Sequence, residues 1–84
     1  MIERDIKQFI LKALLRAKDQ HINDDTLKGL VRAAFRHVAL TDADLTQWIK
    51  ELEESGILTG TNDDVFGLNW TLSLAGKAKA QQIK

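Results

Sequence analysis

From Phe66 to Leu74 the apolar residues fall at every second position. Phe66, Leu68, Trp70, Leu72 and Leu74 alternate with Gly67, Asn69, Thr71 and Ser73. Successive side chains of a strand point to opposite faces, so this spacing predicts a strand with one buried face. Before this stretch the apolar spacing is helical, and glycine is absent before Gly29 and frequent after Gly56. The chain is thereby divided into a helical part and a turn-rich part. Between Leu58 and Phe66 lies TGTNDDV, whose Gly, Asn and Asp residues suit a hairpin tip, with Ile57 and Leu58 leading into extended chain before it. The expected class is mainly α with a small β-hairpin, an α+β fold. With 84 residues and no internal repeat, one domain spans 1–84.

The helices follow from periodicity and caps. A first helix is expected from about Glu3 to Lys18, with Ile2, Ile6, Phe9, Ile10, Ala13 and Ala17 on one face. Leu11 and Leu15 fall on a second face and need a second partner. They are expected to pack under the C-terminal helix or the hairpin strands, or alternatively to form a homodimer interface. QHIN, Gln20 to Asn23, breaks the pattern, and Ile22 suits a very short strand. Asn23 or Asp24 suits the N-cap of a second helix, Asp25 to His37. Leu27, Leu30, Val31, Ala34 and Val38 are expected to point inward, with Phe35 at the margin. Lys28, Arg32 and Arg36, spaced by four, would form a basic stripe on the outer side. Thr41 caps a third helix with Asp44 at the capping-box position, and Leu45, Trp48, Ile49 and Leu52 face the core. Gly56 suits a left-handed end to that helix. AGKAKAQQIK, residues 75 to 84, favours a last short helix.

Composition narrows the function. Twelve basic and twelve acidic side chains give a net charge of zero, so any affinity for a polyanion needs a local basic stripe. There is no cysteine, which removes disulfides and thiolate metal sites. The amphipathic, charged N-terminus reads as neither a signal peptide nor a membrane span, and a soluble, cytoplasmic protein without membrane association is expected. His21 and His37 have no ligand set around them in sequence, so no metal is expected. No phosphate loop, nucleophile elbow or acid/base pair is visible, and neither catalysis nor a cofactor is expected. Trp48 and Trp70 lie on the apolar faces of their elements and read as core anchors.

Two local signatures carry a resemblance. WIKELEESGIL, Trp48 to Leu58, looks like a third helix and its exit in the winged helix-turn-helix family. WTLSLAGKAKA, Trp70 to Ala80, is similar to the aromatic-x-Leu-Thr-x-x-Gly-Lys/Arg pattern that closes the wing in bacterial transcriptional regulators. Trp70, Leu72, Ser73, Gly76 and Lys77 occupy those positions, with Ser in place of Thr. Together with the element order, the resemblance covers about Ile6 to Ala80. It implies a winged helix: a three-helix core, a wing of two to three strands and a short C-terminal helix. It also implies a small bacterial or phage-type regulator or accessory factor that binds double-stranded DNA, with its third helix in the major groove.

On that reading Ala43, Thr46, Gln47 and Lys50 of the third helix meet base edges. Lys28, Arg32 and Arg36, with Lys77 and Lys79 beyond the wing, hold phosphates. Asp42 and Asp44 stabilise the helix start, while Glu51 and Glu53 flank the face and Glu54 closes it. Against it, the wing tip holds Asn62, Asp63 and Asp64, where DNA-binding members commonly carry Arg or Lys. RHVAL, Arg36 to Leu40, is also longer and more apolar than a tight helix-turn-helix turn. The alternative is a winged-helix protein-interaction module, its acidic wing and third helix facing a basic partner.

Overall fold

A computed structural model describes residues 2–17, 21–65 and 67–83. The expectations placed on Lys18, Gln20, Phe66 and Lys84 lie outside the described residues. The elements, in order, are α1 (Ile2–Arg16), β1 (His21–Asn23), α2 (Asp24–Ala34), α3 (Asp42–Glu54), β2 (Leu58–Asp63), β3 (Gly67–Leu72) and α4 (Leu74–Gln82). The described residues form a small α+β domain with four helices and a three-stranded antiparallel sheet of order β1-β3-β2. No described helix is long and apolar enough to cross a membrane.

Helices α2, α3 and α4 start where the sequence supplies a cap. Asn23 caps α2 by accepting from the Asp25 N–H at 3.0 Å. Thr41 and Asp44 form the reciprocal capping box of α3. The Thr41 hydroxyl accepts from the Asp44 N–H at 3.1 Å, and the Asp44 carboxylate accepts from the Thr41 N–H at 3.5 Å. At its other end α3 closes in a Schellman arrangement, with Ile57 N–H donating to Leu52 O and Gly56 N–H to Glu53 O, both at 3.0 Å. Gly56 supplies the positive φ of 77° which that ending requires.

The core takes Ile6, Ile10 and Leu14 from α1, Leu27 and Val31 from α2, and Leu45 and Ile49 from α3. Each contributes roughly 1.5–3 kcal/mol by leaving water. Leu11, Leu52, Leu58, Trp70, Leu72 and Ala80 complete it. Trp48 is half-buried against this cluster. In β3 the alternation holds at Trp70 and Leu72, and Leu68 is half-buried.

The buried faces differ from a simple wheel in three places. On α1 the face turns toward Leu11 and Leu14, because α4 packs on α1 and covers that side; Ile2 is exposed and Phe9, Ala13 and Ala17 are half-buried. On α2 the face turns toward Lys28: Leu30 is 41% exposed and Ala34 is exposed, while Lys28 is 8% exposed. The helix stops at Ala34 rather than His37 because Phe35 turns inward as its C-cap and meets Phe9 edge to face, with ring centroids 5.8 Å apart. Val38 is half-buried in the connection that follows. The strand β3 ends at Leu72, because Ser73 caps α4, and Leu74 is left exposed on the first turn of that helix.

The hairpin is longer than expected. Most of TGTNDDV belongs to β2, whose register runs from Leu58↔Leu72 to Asp63↔Gly67. Gly60 faces Trp70 across the pair, and a Cβ there would lie 2.9 Å from the indole Cζ3. Glycine thus lets the indole lie over the neighbouring strand. Its N–H donates to Asp24 Oδ1 at 2.8 Å, joining the sheet to the start of α2.

Candidate nucleic-acid interface

The cations of α2 do not form an outer stripe. The apolar stem of Lys28 is buried, and its ammonium meets three acceptors from two helices. Nζ lies 2.9 Å from Thr46 Oγ1, 3.1 Å from Asp24 Oδ2 and 3.4 Å from Asp42 Oδ1. Three acceptors match the three donors of an ammonium. Burial acts to lower the Lys28 pKa, but the carboxylates of Asp24 and Asp42 outweigh it and hold the group above its ordinary value. The expected surface contact from Lys28 to phosphate is therefore corrected: this lysine ties α2 to the start of α3. Arg32 is exposed and also approaches Asp42, Nη2 to Oδ1 at 3.5 Å. Arg36 lies in the turn after α2, exposed and with no ion pair among the described residues.

On α3, Ala43, Thr46, Gln47 and Lys50 are all exposed, which is what the outward face requires. Two of the four are engaged within the chain. Thr46 accepts from Lys28, and Gln47 donates to Glu51 Oε2 at 3.1 Å. The other oxygen of Glu51 receives Lys7 from α1 at 2.8 Å. Glu53 and Glu54 are exposed along the same helix, and Asp63 and Asp64 stand exposed at the end of the hairpin. Lys77 and Lys79 ride on α4, whose main neighbours are α1 and β3 rather than the α2–α3 junction. The structure thus gathers Lys28, Arg32 and Thr46 around Asp42 and leaves Lys77 apart.

Two acids of α3 are held more strongly ionised than usual. The charge and hydrogen bond of Lys28, assisted by Arg32, lower the Asp42 pKa; the hydrogen bonds of Lys7 and then Gln47 lower that of Glu51. A carboxylate with a depressed folded pKa takes up its proton in the unfolded chain first. Its stabilising contribution is complete above the ordinary carboxylate range and is lost as pH falls through the folded value, below about pH 4. The melting temperature should therefore fall more steeply from pH 5 toward pH 3 in the wild type than in Asp42→Asn/Glu51→Gln, with the pH range itself set by ordinary carboxylate titration near pH 4. Equal slopes would sink this assignment of the two pairs.

The second-face leucines divide. Leu11 is 5% exposed and sits within the core beside α4, so it offers no surface to another chain; Leu15 is half-buried against the core. The homodimer expectation through Leu11 is corrected accordingly. Among the described residues no group of three or more His, Asp or Glu is placed to hold a metal ion.

A feature absent from the sequence reading lies on the other side of the molecule. A groove of about 1010 Å³ runs between α1, β1 and α2 and reaches the hairpin tip. Phe9 and Ala13 form one wall, Ile22 and Leu30 the other, and Val65, 81% exposed, closes the tip. Its only trace in the sequence was spacing by four, in Phe9–Ala13–Ala17 and in Ile22–Thr26–Leu30, which the wheel assigned to the core or passed over. Comparison with protein-family models, with characterised proteins and with solved structures gave no match to this chain.

Proposed function

We propose that the domain is a winged helix that works as a protein-interaction module, with the exposed face of α3 set against a basic partner surface. Two features support the winged-helix reading: the succession of three helices and a hairpin, and a first short strand that pairs with the far arm of that hairpin. The observation that carries the function is the fate of Lys28. In a DNA-reading winged helix the second helix offers cations to the phosphates, and here that lysine is turned inward and neutralised by Asp24 and Asp42. Arg32 is shared with Asp42, while Glu53 and Glu54 face outward. A face of this charge repels a polyanion and attracts cations.

The DNA reading keeps one specific support: Arg36 and Lys50 are exposed without ion pairs among the described residues. A titration followed by amide shifts separates the two. With a mixed-sequence duplex at about 50 mM salt, where phosphate contacts are strongest, the Arg36, Gln47 and Lys50 amides should stay still, whereas oligolysine should shift Glu53 and Glu54. Saturable, salt-sensitive shifts with the duplex would overturn the proposal in favour of DNA.

A further inference from the structure

We infer that the chain pairs with a second copy of itself through the groove between α1, β1 and α2, the hairpin tip of each copy seated in the groove of the other. A two-fold contact uses the same patch on both partners, so that patch must contain both a projection and a hollow, and charges of both signs. This face has all four. The hollow is the groove of about 1010 Å³, and the projection is Val65 at its end, 81% exposed on the turn after β2. The Asp63 side chain accepts from the Val65 N–H at 2.7 Å and fixes the shape of that turn.

Charge points the same way. Among the described residues the groove is lined by Lys12 and Arg16 and by no carboxylate, and Arg16 is exposed without an ion pair there. Asp64, next to Val65, is exposed and likewise without an ion pair there. In the pairing proposed, each Asp64 meets the other copy's Arg16 and each Val65 the other copy's Leu30. Leu30 is the apolar side chain that the rotated α2 leaves 41% exposed. One contact would cover Leu30 and Val65, two of the described large apolar side chains exposed in a single chain. Apolar side chains grouped on one face mark interaction sites more often than scattered ones do. The pairing also gives the acidic hairpin end a use that neither DNA nor the α3 face requires, so it stands whether or not the α3 proposal does.

Sedimentation equilibrium on the whole chain, with amide shifts followed on dilution, tests this directly. The expected result is a dimer with a dissociation constant on the order of 10–100 μM, weakened by salt as charged contacts are screened. Dilution should shift the amides of Ala13, Leu30 and Val65 and leave those of α3 unmoved. Val65→Asp should weaken the dimer at least tenfold, and so should Arg16→Glu. Asp64→Arg should weaken it alone and restore it in combination with Arg16→Glu. All three residues are exposed and outside the core, so the variants should keep the wild-type circular dichroism. A monomer near 1 mM at low salt, with the groove left to some other occupant, would overturn the inference, a concentration at which even weak pairs are populated. A dimer indifferent to Val65→Asp and to the charge reversals would overturn it equally.

Discussion

Gly76→Ala should cost the domain about 2–3 kcal/mol, the upper part of the range for forcing one extra carbon into a closed contact. A Cβ built on Gly76 would lie 2.1 Å from the carbonyl oxygen of Ile57, and backbone, unlike a flexible side chain, has little room to give. The same carbonyl accepts from the Ser73 N–H at 2.9 Å. The Ser73 hydroxyl, which donates toward the Gly56 and Ile57 carbonyls, accepts in turn from the Gly76 N–H at 3.0 Å. The turn that ends α3 and the cap that starts α4 are therefore one hydrogen-bonded unit, and moving α4 away to admit a methyl group stretches all of it. A thermal melt should show a fall of roughly 10–20 °C, using about 4–8 °C per kcal/mol for a domain of this size. Gly29→Ala is the internal control. Gly29 is exposed inside α2 and its Cβ would meet nothing within 4 Å, so the better helix former should add about 0.5–1 kcal/mol. Two glycine-to-alanine changes, both within helices, should thus have opposite signs. A Gly76→Ala protein as stable as the wild type would mean that α4 does not pack on the α3 exit.

That unit also shows where sequence reasoning reached and where it stopped. The positions of Trp70, Leu72, Ser73, Gly76 and Lys77 were visible as a pattern, but the need for glycine at 76 comes from Ile57, nineteen positions away, and no local rule reports it. Local chemistry was legible: the Thr41–Asp44 box, the Gly56 ending, the Asn23 cap and the short strand at Ile22 all follow from residues within a few positions of each other. The faces were harder. A wheel places lysine outward by default, and the Asp24–Lys28 spacing of four gave only half of the compensation that buries it. The other half, Asp42 and Thr46, arrives from the next helix. Once Lys28 faces inward, Leu30 must face outward, so one misjudged side chain hid both the loss of the basic stripe and the presence of the groove. On α1, Leu14 was missed for a related reason: the helix serves two partners, the core and α4, and its buried face is wider than a single stripe.

Lys28→Met should lower stability by about 2 kcal/mol, and the size of this effect decides what the lysine is for. Methionine keeps most of the apolar stem in place and removes the charge. What remains is Asp24 Oδ2 and Asp42 Oδ1 near one another without their shared cation, and the Thr46 hydroxyl without its donor. Breaking a fully buried pair by removing one partner costs about 3–5 kcal/mol. Asp42 is largely exposed and recovers solvation, which brings the expectation down to the lower figure. If Lys28 were instead a surface lysine waiting for phosphate, its removal would change stability by no more than about 0.5 kcal/mol, as for other exposed substitutions. Arg36→Met supplies that reference within the same protein, since Arg36 is exposed and unpaired among the described residues. Asp42→Asn added to Lys28→Met should recover part of the loss, because it removes one of the two stranded carboxylates, and a non-additive pair is the signature of direct contact. Urea denaturation of five proteins, the wild type and Asp42→Asn alone included, measures all of this. A Lys28→Met loss no larger than that of Arg36→Met would restore Lys28 to the surface and, with it, the case for a phosphate-binding second helix.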